Sequence, residues 1–91
     1  MEYDKHMLRS YENLIEAVIM EAAKDYRKAY KHRNAKRIND RNAARRDLAA
    51  LEHFFTSGWF AFLSDADGAY IMYRIRQEVD KEWQSLYEPR E

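Results

Sequence analysis

From Met7 onward the apolar residues recur at steps of three and four: Met7, Leu8, Tyr11, Leu14, Ile15, Val18, Ile19, Ala22, Tyr26, Ala29 and Tyr30. A stripe of that period, held for roughly six turns, is one face of a long amphipathic helix. The pattern predicts a helix over about residues 4–33, started by Asp4 or Ser10 as cap and ended at Asn34, a residue that tolerates the left-handed conformation. Ala35 to Asn39 reads as a polar connection, after which Asn39 or Asp40 can cap a second helix over about 40–55 with the stripe Ala44, Leu48, Leu51, Phe55. Thr56-Ser57-Gly58 breaks the pattern. Residues 58–63 then read as a short helical turn whose aromatic side chains plug one end of a core. Ser64 and Asp67 resemble a capping box ahead of a third stripe, Ile71, Met72, Ile75, Val79, Trp83 and Leu86, which predicts a helix over about 65–87 stopped by Pro89.

Three such stripes can be buried only against one another, so the expected fold is all-α: an antiparallel three-helix bundle with a short extra helical turn between helices 2 and 3. A helical oligomer would bury them equally well. Only two glycines and one proline occur, too few for a sheet with tight turns. At this length residues 1–91 form a single domain. The chain has no cysteine, which removes disulfides, thiolate metal sites and a cysteine nucleophile. Its longest apolar runs, Ala17 to Met20 and Trp59 to Leu63, are far short of the roughly 20 residues that cross a bilayer. The opening Met1-Glu2-Tyr3-Asp4 lacks the features of an export signal. The expected setting is the cytoplasm, with no membrane partner.

The formal net charge is zero, yet the charges fall in blocks: −3 over residues 1–23, +8 over 24–46 and −5 over 47–91. Local fields follow the distribution of charge, so the middle block can attract anions. Lys24, Arg27, Lys28 and Lys31 lie at steps of three and four, forming one stripe roughly opposite the apolar face of the first helix. As a binding site this stripe would be joined by Arg33, Lys36, Arg37, Arg41, Arg45 and Arg46. Tyr26 and Tyr30 would stand near enough to stack on a base. As ordinary structure it is a solvated face, partly explained by cations favouring a helix C-terminus. Both readings stand at the level of sequence.

Arg76 sits at the edge of the third apolar stripe. A structural ion pair explains it best, either with Asp80 four residues on or with an acid on another helix. Asp65-Ala66-Asp67-Gly68 suggests calcium, but a calcium loop starting there needs a glycine at position 70 and a glutamate at position 76, which hold Tyr70 and Arg76. His6, His32 and His53 show no metal-ligand spacing, and no metal is expected. There is no Gly-rich phosphate loop, and Ser57-Gly58 lacks the strand of a nucleophile elbow, so neither an enzyme nor a cofactor is expected. Phe54, Phe55, Trp59, Phe60 and Phe62 read as core, with any exposed remainder a partner-binding patch.

Two segments carry a resemblance. Tyr11 to Ile19 with Asp25 to Ala29, and Phe54 to Phe60 with Leu63 to Gly68, resemble small uncharacterised helical proteins of phages and prophages of Gram-positive bacteria. The resemblance implies an accessory protein acting in the bacterial host cytoplasm, with no catalytic residues to carry over. By analogy it implies an antagonist of host defence, either an anti-CRISPR-like inhibitor of an effector protein or a sponge for a phosphate-bearing nucleotide signal. A DNA- or RNA-binding phage regulator and a structural or assembly module are the alternatives.

Overall fold

The computed structural model describes the backbone of residues 5–87 and the side chains of residues 12–85. Among the described residues every regular element is a helix: α1 (Lys5–His32), α2 (Ile38–Thr56), α3 (Gly58–Leu63) and α4 (Gly68–Tyr87). The all-α expectation holds, as does the short helix between the second and third long ones. Asp4 and Pro89 lie outside the described residues, as do the side chains of His6, Met7, Leu8, Ser10, Tyr11 and Leu86. The backbone is already helical at Ser10, so that residue does not start α1.

The three long helices each contact the other two, and α3 packs on α2. Side-chain partners fix their directions. Tyr26 reaches Glu52 while Asn34 reaches Arg45, so α2 descends as α1 rises. Arg27 reaches Glu78 and Lys31 reaches Glu82, so α4 rises with α1. The predicted stripes meet at the centre: Tyr26, Phe55, Phe60, Met72, Ile75 and Val79 form the buried core, with Ile19, Ala22, Leu48 and Leu51 packed around it. Each large apolar side chain so buried contributes about 1.5–3 kcal/mol relative to exposure.

The helix ends depart from expectation in ways that have local causes. No described residue has a positive φ, so Asn34 is not the left-handed stop that was expected. Arginine does that work instead. Arg33 Nη1 donates to the Tyr30 carbonyl at 2.7 Å and Arg45 Nε donates to the Arg33 carbonyl at 3.0 Å, so cations satisfy C-terminal carbonyls at the negative end of the dipole. α2 starts at Ile38, ahead of Asn39 and Asp40, with Arg37 as an N-cap that makes no side-chain bond. Asp40 falls in the first turn, where a carboxylate is favourable without being the cap.

One hydroxyl joins α2 to α3. Ser57 Oγ donates to the Phe54 carbonyl at 2.7 Å and accepts from the Phe60 amide at 3.2 Å, closing one helix and capping the next. The Ser64–Asp67 capping box is not formed. Ser64 Oγ accepts from Ala66 N in a local turn, and Asp67 is the residue that caps α4, through Tyr70 N at 3.3 Å. α4 therefore begins at Gly68, three residues later than predicted. That glycine is buried, and a Cβ placed on it would lie 2.0 Å from the Phe55 carbonyl oxygen. Its lack of a side chain lets the start of α4 touch the end of α2.

The Cα radius of gyration is 16.9 Å, against roughly 12 Å for a compact chain of this length. The excess comes from elongation, with principal extents of 63, 34 and 19 Å. α1 alone is about 42 Å long at 1.5 Å per residue, and among its described side chains the first packed on the core is Ile19. Ahead of that point Leu14 is 61% exposed.

Candidate functional site

The fold divides the middle block of cations in two. The half facing α4 is consumed internally. Arg27 pairs with Glu78 and, at 3.5 Å, with Glu82; Lys31 meets Glu82 at 3.2 Å; Arg33 meets Asp80 at 3.7 Å. These groups are all partly solvated, so each pair contributes a few tenths to about 1 kcal/mol. Their main consequence is neutralisation. The expectation that Arg27 and Lys31 point to solvent is corrected: opposite the apolar stripe along the chain is not the same as facing water, because α4 covers that flank of α1.

Tyr26 and Tyr30 need the same correction. Tyr26 is 0% exposed, its ring edge-on to Phe55 at 6.1 Å and stacked on Tyr30 at 6.3 Å. The Tyr30 ring carries the Arg33 guanidinium 3.6 Å from its centroid, and its hydroxyl donates to the Asp80 carboxylate at 3.0 Å. Neither ring is open to a base. Burial, with the Asp80 carboxylate as a second cause, raises the Tyr30 phenol above its ordinary value; burial also raises Tyr26, opposed by the hydrogen bond and charge of Arg76.

Arg76 does not pair with Asp80, which Tyr30 and Arg33 occupy. Its Nη1 donates to the Tyr26 hydroxyl at 2.8 Å, and that hydroxyl lies 3.5 Å from Glu52 Oε1, as a donor. The half-buried cation thus reaches an acid on α2 through a phenol on α1. One buried ring ties all three long helices together. The ion pair expected for Arg76 is not formed among the described residues; the contact it makes is the hydrogen bond to the Tyr26 hydroxyl.

The other cations are not consumed. Lys24, Lys28, Lys36, Arg37, Arg41 and Arg46 form no ion pair among the described residues, and all but the half-buried Arg41 are exposed. Arg37, Arg41 and Arg45 follow at four-residue steps, so they share one flank of α2. Asn39, Asn42, Arg45 and Arg46 line a shallow concavity on the outer face of the same helix. Arg45 belongs to both sets: its guanidinium caps α1 and also bonds Asn34 Oδ1 at 3.4 Å. Four guanidinium groups and two amides on the first turns of α2 offer hydrogen-bond donors to an anionic surface.

At the opposite end α3 separates its aromatics. Phe55 and Phe60 are buried and meet edge to face with Phe54, as a plug would, while Trp59 and Phe62 stack on each other at 6.0 Å and remain 63% and 80% exposed. No group of three or more His, Asp or Glu side chains able to hold a metal occurs among the described residues, and no described helix is long and apolar enough to cross a membrane. No family model, curated protein or solved structure matches the chain.

Proposed function

We propose that this protein is a non-enzymatic binding module, an antiparallel three-helix bundle of α1, α2 and α4 whose working surface is the α1–α2 turn and the outer face of α2. One observation carries this reading: the cations of the middle block that reach α4 are paired, whereas Lys36, Arg37, Arg41 and Arg46 gather without an ion pair among the described residues. Like charges held close raise the energy of the folded chain, and an anionic partner relieves that cost. The phage resemblance supplies the context. In that context the module is an antagonist of host defence in the bacterial cytoplasm, docking on an acidic face of an effector protein. The nucleotide-sponge variant is weakened, since Tyr26 and Tyr30 are both occupied.

The test compares two variants in capture from host lysate, with and without nuclease treatment. Arg41→Glu with Arg46→Glu removes the proposed surface. Arg27→Gln removes only an internally paired cation. The proposal expects a nuclease-resistant partner lost with the first variant and retained with the second. Capture that ignores Arg41 and Arg46 refutes it. Retention of duplex DNA, falling steeply with salt, replaces it with the nucleic-acid regulator.

A further inference from the structure

A groove runs along α1 and α2 on the side away from α4. Its floor is mostly alanine, including Ala22, Ala29, Ala43, Ala44 and Ala50, and such small residues let another helix approach closely. The α1 rim carries an ordered series of groups. Leu14, Glu21 and Lys28 follow at seven-residue steps, two helical turns, and so stand nearly in line. Val18 and Asp25 stand beside them, and Lys24 flanks them. Leu14, Val18, Glu21, Lys24, Asp25 and Lys28 are all exposed, and the four charged members form no ion pair among the described residues.

We infer that the groove receives a second copy of this chain, α1 against α1 in antiparallel orientation, about a two-fold axis between Lys24 and Asp25. Charge complementarity selects both the occupant and the register. With that axis Glu21 faces the other copy's Lys28 and Lys24 faces the other copy's Asp25, and symmetry makes each pair twice. A parallel arrangement would set Glu21 on Glu21 and Lys28 on Lys28 and repel. The α2 rim adds Asp40 and Asp47, so the groove as a whole is acidic and favours an occupant that brings lysines. In the same register Leu14 and Val18 of each copy come over the His32 end of the other's groove, removing from water two side chains that are 61% and 46% exposed in a single chain. Neither Arg41 nor Arg46 lines the groove.

Sedimentation velocity over a concentration series tests this. The wild-type chain is expected to reach twice the chain mass. Glu21→Lys and Lys28→Glu each turn two attractive pairs into two repulsive ones, and each should weaken dimerisation about tenfold or more. The double variant Glu21→Lys/Lys28→Glu restores every attraction with its sign exchanged and should return the dissociation constant to within about threefold of wild type. Helical circular dichroism confirms that each variant folds; one that does not is replaced by Glu21→Gln or Lys28→Gln, each expected to weaken the dimer by a smaller factor. A wild-type chain that stays monomeric overturns the inference. So do single reversals without effect, or a double variant as weak as the singles. Arg41→Glu/Arg46→Glu should leave the dimer intact, which separates this result from the fate of the proposed partner surface.

Discussion

Tyr26 is the residue on which the three long helices converge, and its substitution separates two contributions that differ in size. Tyr26→Phe keeps the ring against Phe55 and Tyr30 and deletes only the hydroxyl that accepts from Arg76 and donates to Glu52. Glu52 is exposed and Arg76 half-buried, so water can replace part of what is lost. The expected cost is about 1–2 kcal/mol, below much of the roughly 1.5–3 kcal/mol of a hydrogen bond to a charged group because water replaces part of it. Tyr26→Ala also removes a fully buried ring and leaves a void, which costs about 3–5 kcal/mol. For a domain of this size 1 kcal/mol moves the midpoint by about 4–8 °C. Thermal unfolding followed by helical circular dichroism should therefore show a fall of roughly 5–15 °C for the phenylalanine variant. The alanine variant should fall by roughly 12–40 °C, which brings the chain close to unfolding at ordinary temperature if its total stability lies near the low end of about 5–15 kcal/mol. Adding Arg76→Met to the Tyr26→Phe background should cost less than Arg76→Met alone, because the hydroxyl it served is gone. An alanine variant less than about 1 kcal/mol below wild type would mean the ring is not in the core. Full additivity of Tyr26→Phe with Arg76→Met would mean the contact between them carries nothing.

The two glycines should respond in opposite directions. Gly68→Ala drives a Cβ into the Phe55 carbonyl and should destabilise by about 1–3 kcal/mol or more, whereas Gly58→Ala meets nothing within 4 Å and should be neutral or stabilise by up to about 1 kcal/mol; chemical unfolding midpoints check both, and equal effects would contradict the close approach of α2 and α4. High pH should loosen the fold. Tyr26 and Tyr30 have folded values raised above that of an unfolded phenol, near 10, so their contribution is intact below that pH and is lost as pH rises through the raised values. Difference tyrosinate absorbance between wild type and the Tyr26→Phe and Tyr30→Phe variants should show these two phenols ionising above their ordinary value and together with loss of helix, while their ionisation at the ordinary value with the helices intact would contradict their burial.

The helices were legible because the three-four spacing of Ile19, Ala22, Tyr26 and Leu48, Leu51, Phe55 has one physical solution, a shared core. Their ends were less so. Spacing points to Asn34, Asn39 or Asp40, and Ser64 as the capping side chains, but Arg33 and Arg45 serve the end of α1, Asp67 caps α4, and α2 starts after Arg37 with no side-chain cap, outcomes of tertiary proximity and turn geometry that spacing does not encode. The binding stripe shows the same limit. A helical wheel separates apolar from polar and does not say which polar flank a third helix covers. A usable signal was present: Glu78 and Glu82 stand four apart on α4, as Arg27 and Lys31 do on α1, which matches two ladders of opposite charge. Tyr26 had likewise already fallen within the apolar stripe, where burial follows more directly than exposure beside lysines. Which aromatics of α3 would face outward depended on where Ser57 sets the start of that helix.

The fold pairs Arg27, Lys31 and Arg33 with acids of α4, whereas Lys36, Arg37, Arg41 and Arg46, the proposed partner surface, form no ion pair among the described residues. Amide and side-chain chemical shifts, followed by NMR while a short heparin fragment is titrated in as a generic polyanion, read this residue by residue. Perturbations should gather on Lys36, Arg37, Arg41 and Arg46 and spare Arg27 and Lys31. Shifts that spread evenly over all these cations, or that centre on the α1–α4 pairs, would contradict the division.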